Sequence, residues 1–312
     1  MPVAVVAIGG NSLIRDEAHA DVAGEIEALQ ETCAHLGAMI AAGWDVVITH
    51  GNGPQVGFNL LRSELAAAVA PPLPLDVLGA QTQGSIGYLI QQILGNELRR
   101  RDIRKRVVTV VTQAVVDRDD PAFRRPTKPV GPFYEPDEAE RLRRDRRWEM
   151  VEDAGRGWRR VVASPMPLEI VERLVIKGLV FQSIVVIAAG GGGIPVVRRG
   201  DGDLEGVEAV IDKDLATSLL AQSIGADLLL ISTAVERVAL NYGKPDQRDL
   251  ARMSVDEASR YLSQGHFPPG SMGPKVLSAI RFIEATGKEA LITSPEGIRR
   301  ALDGRTGTRI VP

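Results

Sequence analysis

Short runs of β-branched and aliphatic residues recur along the chain, and most of them end in glycine and lead into a segment with helical spacing. The first is Val3-Ala4-Val5-Val6-Ala7-Ile8, followed by Gly9-Gly10-Asn11. Apolar positions Val22, Ile26, Leu29, Cys33, Leu36 and Ile40 then fall three and four apart, which predicts a helix with one buried face. Gly43 is placed to end it. A second strand is predicted over Asp45-Val46-Val47-Ile48-Thr49, running into His50-Gly51-Asn52-Gly53. Leu78, Ile86, Leu89, Ile90, Ile93 and Leu94 mark another helix, and Val107-Val108-Thr109-Val110-Val111 another strand. The pattern resumes with Ile184-Val185-Val186-Ile187-Ala188 before Gly190-Gly191-Gly192-Gly193, and with Leu228-Leu229-Leu230-Ile231 after a helix begun near Asp212. Ser254 and Glu257 form a capping box. Ser294-Pro295 is expected to open the last helix.

Strands that are apolar on both faces, alternating with amphipathic helices, predict an α/β protein with an open, mainly parallel sheet covered on both sides. Ligands in such folds bind beyond the carboxyl ends of the strands, where three of the glycine turns fall. Residues 117–160 break the rhythm with proline, arginine and acid, as in Arg124-Arg125-Pro126-Thr127-Lys128-Pro129. Few apolar residues occur there, so the stretch is expected to add nothing to the core. It is expected to form a small projecting subdomain able to act as a lid.

Composition narrows the function. A net charge of −3 over 312 residues gives no basic face for nucleic acid. No run approaches the roughly 18 apolar residues of a membrane span. The strand that starts at Val3 leaves no room for a signal peptide, so a cytoplasmic protein is expected. The single cysteine, Cys33, rules out an intrachain disulfide and reads as a buried thiol on a helix face.

Lysine usage points to the chemistry. Of the 37 basic residues only seven are lysine, and three of these stand in Thr127-Lys128-Pro129, Asp212-Lys213-Asp214 and Met272-Gly273-Pro274-Lys275. Lysine is a compact, rotatable point charge, suited to following a phosphate as it moves. The turns Gly9-Gly10-Asn11 and Gly51-Asn52-Gly53 let backbone N–H groups approach an anion, aided by the helix that follows. Gly51 to Gly57 superficially resembles a dinucleotide fingerprint, but the acidic residue needed about 20 residues on is replaced by Pro71-Pro72-Leu73-Pro74-Leu75. No phosphate-binding loop of the G-x-x-x-x-G-K-[ST] type is present. Asp212 is a candidate helix cap, with Lys213 at a phosphate and Asp214 orienting lysines. Lys275 also falls near a helix start, where a cation is unfavourable unless an anion shares the site. His19, His35, His50 and His266 have no ligand spacing, so protein-held metal is not expected. Magnesium brought in by a nucleotide remains compatible.

These motifs, in this order, resemble the carbamate kinases of the amino acid kinase family. The resemblance runs nearly end to end and includes Thr127-Lys128-Pro129-Val130-Gly131-Pro132-Phe133-Tyr134, Arg156-Gly157-Trp158, Val210-Ile211-Asp212-Lys213-Asp214, Asn241-Tyr242-Gly243-Lys244-Pro245 and Gly270-Ser271-Met272-Gly273-Pro274-Lys275. The blocks around Lys128 and Trp158 separate carbamate kinases from sister enzymes that act on acetylglutamate, aspartate or UMP.

The resemblance implies a three-layer αβα sandwich of about eight strands, assembled as a homodimer. It also implies reversible phosphoryl transfer between ATP and carbamate, with magnesium. An N-terminal lobe of about residues 1–205 would hold carbamate or carbamoyl phosphate, and a C-terminal lobe of about 206–312 the nucleotide. Gly9, Gly10, Asn11, Gly51, Asn52 and Gly53 would cradle the acid, with Lys128 reaching in. Lys213 and Lys275 would follow the phosphoryl group, positioned by Asp214. Tyr242, Met272, Gly273 and Pro274 would border the nucleotide.

The family often uses the reaction to make ATP during arginine or related nitrogen catabolism. Thr233 lacks the aspartate often found after it in the wider family, and Ala163 stands where proline is expected. A sister kinase acting on another small acid, and a catalytically silent binding module, are the alternatives.

Overall fold

The run Val3–Ile8 forms a strand buried along its last five residues. In the computed structural model, which describes residues 1–9, 13, 21–152 and 157–312, this strand lies inside an eight-stranded sheet. It pairs in parallel with Asp45–His50 on one side and Leu228–Ser232 on the other. Val185–Ile187 and then the edge strand Val107–Thr109 extend the sheet beyond Asp45–His50, both parallel. Glu289–Thr293 pairs in parallel with Leu228–Ser232. Only Thr308–Val311 and its neighbour Arg252–Ser254 run the opposite way, at the far edge.

Alternation along these strands creates the layers, because successive side chains point to opposite faces. Val5, Ala7, Val47, Leu229 and Ile231 pack with the helices Lys213–Ile224 and Met272–Thr286. Ala4, Val6, Val46, Ile48 and Leu230 pack with Val22–Ala41 and Leu75–Arg100. The result is the expected αβα sandwich. Among the described residues, no helix is long and apolar enough to cross a membrane.

Local details depart from the sequence reading in four places. The strand predicted over 107–111 stops at Thr109, and Gln113–Val116 joins a second, four-stranded sheet. Ser294-Pro295 does not open the last helix. The Gly297 N–H donates to the Ser294 carbonyl, closing a tight turn, and the helix begins at Ile298. A helix over Gly53–Leu65, with Pro54 in its first turn, was not expected from the pattern. Finally, the polar stretch does contribute core residues. Its strands Lys128–Tyr134, Trp158–Val162 and Glu149–Glu152 form a separate antiparallel sheet, with the helix Pro136–Arg146 between the first and third in sequence. Val130 and Val162 share one face of that sheet and are buried against Val56, Leu60, Leu75 and Leu78. Two valines suffice because strand alternation gathers them on the covered side.

The contact that docks this sheet is close. A Cβ built on Gly57 would sit 3.0 Å from the Gly131 Cα, so the helix Gly53–Leu65 and the strand Lys128–Tyr134 meet backbone to backbone. Lys128 is thereby placed above the carboxyl edge of the main sheet.

Candidate active site

Strands pointing the same way deliver Gly9, the turn from Gly51, the glycine run from Gly190 and Thr233 to one edge of the main sheet. Gly9 fits between strands, since a Cβ there would be 3.0 Å from the Ser232 carbonyl oxygen. Gly10 and Asn11 lie outside the described residues. Asn52 stands at the N-cap position of the helix that begins at Gly53 without a side-chain capping bond, and its amide instead donates to Thr82 Oγ1 at 2.8 Å. Gly191 allows this approach, because a Cβ there would be 2.2 Å from Asn52 Nδ2. Gly190 packs equally closely on His50, whose ring is fixed by a 2.9 Å hydrogen bond between Nδ1 and the Gly51 carbonyl. Burial, and Lys213 nearby, hold the His50 pKa down at about 4, so its ring is neutral near pH 7.

The helix Lys213–Ile224 enters this edge from below. Asp212 is its N-cap, and Asp212 Oδ1 accepts from the N–H groups of Asp214 at 2.9 Å and Leu215 at 3.4 Å. Lys213, the first helical residue, runs past Gly51 and donates to Asp214 Oδ1 at 2.5 Å. Lys275, in the first turn of Met272–Thr286, donates to Asp214 Oδ2 at 3.0 Å. Lys128 donates to the other aspartate of the motif, Asp212 Oδ2, at 3.0 Å. All three lysines singled out by their motifs therefore end on the tripeptide Asp212-Lys213-Asp214. Beneath them, Thr49 and Thr217 hydroxyls share a 2.6 Å hydrogen bond, and Thr217 Oγ1 donates to the Lys213 carbonyl at 2.6 Å.

Asp214 is 3% exposed, a burial that would cost several kcal/mol for an unpaired carboxylate. Burial alone would raise its pKa, but the Lys213 and Lys275 ammonium groups and their hydrogen bonds outweigh it and hold the carboxyl at about 2. Lys213 moves the other way. Burial and the neighbouring charge of Lys275 push its ammonium below the usual lysine value, against the pull of Asp214. Two cations thus face one carboxylate, leaving net positive charge where an anion can add.

Two cavities adjoin the cluster. One of about 230 Å³ is bordered by Thr233, Val235, Tyr242, Phe267, Met272 and Lys275. A larger cleft of about 1120 Å³ runs between Lys128 and Asp212 on one side and Phe267, Gly273 and Pro274 on the other. Tyr242 and Met272 therefore share the smaller cavity, while Gly273 and Pro274 face the cleft. Gly273 also meets the carbonyl of Pro268, which a Cβ would approach to 3.0 Å.

Sequence reasoning passed over Thr233, Val235 and Phe267 as cavity walls. It saw Asp212 only as a cap. A run of apolar and small residues after a strand carries no chemical signal of its own, and the Lys128 partner lies 84 positions away.

Residues 2–294 match the amino acid kinase family. The chain is 50% identical over 310 residues to a carbamate kinase of Thermococcus kodakarensis, covering 98% of each. It is 52% identical over 310 residues to the carbamate kinase-like protein YahI of Escherichia coli, again covering 98% of each. The structure of a carbamate kinase from Giardia lamblia bound to AMP-PNP superposes with a TM-score of 0.94 at 45% identity, covering 99% of this chain and 98% of that one.

Proposed function

The chain belongs to the amino acid kinase family, and we propose that it transfers a phosphoryl group reversibly between ATP and carbamate, giving ADP and carbamoyl phosphate. The observation that carries this reading is the meeting of Lys213 and Lys275 on buried Asp214, between the Gly51 turn and the cavity bordered by Tyr242 and Met272. A phosphoryl group passing from one compartment to the other would cross the two ammonium groups. Carbamate is already an anion, so its oxygen can attack the γ-phosphorus without a general base. The new P–O bond forms as the bond to the ADP oxygen breaks. Positioning and charge neutralisation then carry the catalysis.

The roles follow from that path. Lys213 and Lys275 stay with the moving phosphoryl group, and Asp214 keeps them aimed. Lys128 meets the acid substrate, which Gly9, Gly10, Asn11, Gly51, Asn52 and Gly53 cradle. Tyr242, Met272, Gly273 and Pro274 border the nucleotide. Residues 1–205 act as the acid lobe and 206–312 as the nucleotide lobe, with 117–160 as a lid. Among the described residues no group of three or more His, Cys, Asp or Glu is arranged to hold a metal. Magnesium is expected to enter on the nucleotide phosphates, as it commonly does at kinase sites. We place the enzyme in the cytoplasm, working in the ATP-forming direction in arginine or related nitrogen catabolism.

The test is ATP formation from purified protein, ADP, carbamoyl phosphate and magnesium. Rapid ATP formation is expected. A folded protein that binds ADP yet makes no ATP would point instead to another small acid, and one that binds no nucleotide to a silent module.

The depressed Lys213 pKa also has a kinetic signature. Only the ammonium form can neutralise the transferring phosphoryl group, so kcat/KM, which reports the free enzyme, is expected to fall on the alkaline side with an apparent pKa below the ordinary lysine value of 10.5. No inflection is expected near pH 6.5, because His50 is already neutral there. A kcat/KM profile flat to pH 10.5 would remove Lys213 from this role.

A homodimer is supported by an unfinished surface. Among the described residues, the edge strand Val107–Thr109 has a partner on one side only. The nearby helix Arg173–Phe181 leaves Leu174 72% and Phe181 92% exposed while Ile176 and Val180 enter the core. A helix apolar on both faces needs a second cover, and a second copy can supply it. Light scattering is expected to give twice the chain mass for the wild type and the monomer mass for Phe181→Asp. A monomeric wild type at micromolar concentration would dismiss the dimer.

A further inference from the structure

Asp212 lies outside the roles assigned above, yet both of its oxygens are engaged at the site. Oδ1 caps the helix that carries Lys213 and Asp214, and Oδ2 holds Lys128 from the three-stranded sheet. The segment leading to Asp212 is bound once more to that same sheet and once to the residue just past its strand Trp158–Val162. Glu208 accepts from Arg160 at 2.9 Å, and the Val210 N–H donates to the Ala163 carbonyl at 2.9 Å. From the other side, the Ile211 carbonyl rests on Gly192, where a Cβ would come within 2.4 Å. Asp212 is therefore held by its backbone neighbours and its own cap, whereas Lys128 hangs on a flexible four-carbon stem.

We propose that Asp212 is a positioning residue that holds Lys128 in the cleft for the acid substrate and keeps its hold when the phosphate arrives. The proposal rests on the carbamoyl phosphate reading above. A free lysine side chain loses much rotamer freedom when it is fixed on a ligand, and restraint by Asp212 removes part of that loss before substrate binds. The ammonium has three protons, so one can stay on Asp212 Oδ2 while the others reach the phosphate. The Lys128 side chain is 37% exposed and the Asp212 side chain 16%, so the ammonium still opens onto the cleft. The cap is independent of this contact, since it uses the other oxygen and the helix backbone.

Asparagine separates the two jobs of Asp212, because it caps a helix as well as aspartate but has no charge for Lys128. With Asp212→Asn, the KM for carbamoyl phosphate is expected to rise about threefold to tenfold. The KM for ADP and the melting temperature are expected to stay unchanged. In a Lys128→Met background the same substitution is expected to change the KM for carbamoyl phosphate by less than about twofold, since a residue acting through Lys128 has nothing left to act on. Asp212→Ser, which also caps, should reproduce the asparagine result if the asparagine variant folds poorly.

A second readout needs no turnover. Pulse labelling with an amine-specific reagent, read by peptide mass spectrometry, is expected to modify Lys128 several-fold faster in Asp212→Asn, with exposed Lys244 as the unchanged control. A lower KM for carbamoyl phosphate would show that Asp212 competes with substrate instead of preparing for it. An equal change with and without Lys128, or unchanged Lys128 labelling, would likewise overturn the proposal. If the wild type makes no ATP but Lys128 labelling still responds to Asp212, the reaction assignment fails while the restraint of Lys128 stands.

Discussion

Lys213→Ala is expected to fold, to bind ADP, and to form ATP about 10²–10³ times more slowly than the wild type. The size of the effect follows from position. The Lys213 side chain is only 14% exposed, its ammonium lies 2.5 Å from Asp214 Oδ1, and its stem lies alongside Gly51. No other described cation occupies that place, because Lys275 approaches Asp214 from the other oxygen and Lys128 ends on Asp212. The loss should appear in kcat more than in either KM, since a charge that tracks the transferring group acts most strongly in the transition state. Lys213→Arg is expected to recover little, because a planar fork cannot replace a point charge in a buried slot against Asp214. Steady-state kinetics with both substrates varied, alongside a denaturation curve, is the check. Turnover within threefold of wild type in a folded Lys213→Ala would place the chemistry elsewhere.

Asp214→Asn should be the most damaging substitution to stability among the site residues. The carboxylate is almost fully buried and is the shared counter-charge of Lys213 and Lys275. Removing it leaves two ammonium groups facing each other, one of them buried without a partner anion. Breaking a buried pair in this way costs about 3–5 kcal/mol. Urea denaturation at pH 7 measures it, and a change under about 1 kcal/mol would show that the cluster is less dry than its exposure implies. Activity is expected to fall with stability, because Lys213 would lose its proton more readily and both lysines their aim.

The pH dependence gives an independent check of sign. The Asp214 pKa is depressed in the folded protein, so its contribution is present above the ordinary aspartate value near 3.8 and is lost as pH falls toward 2. The stability gap between wild type and Asp214→Asn should therefore narrow in that range.

Much of the architecture was legible along the chain because it depends on local periodicity. Val3–Ile8 and Leu228–Ser232 are apolar at every position that faces a helical layer on either side, which only a doubly covered sheet requires. The helix Lys213–Ile224 announces itself through Asp212 at its cap and Gly225 in a left-handed conformation at its end. Failures came where a local signal had two outcomes. Ser294-Pro295 suits a helix start and a tight turn equally, and the Gly297 hydrogen bond to Ser294 selected the turn. In 107–111 the valines continue past Thr109, but the chain turns away to serve the second sheet.

By itself the sequence determined the alternation of strand and helix, the glycine turns at the strand ends and the few lysines standing in distinctive motifs. Those features are set by residue type and short spacing. Only the tertiary structure decided which carboxylate each lysine meets. Lys128 and Lys275 lie 84 and 61 positions from their aspartates, and both aspartates sit within one tripeptide. Their assignment depends on where the three-stranded sheet docks across Gly57 and Gly131, and on how Met272–Thr286 packs beside Lys213–Ile224. Spacing along a chain carries no record of such distances, because they arise from the burial of apolar faces far from the charges themselves.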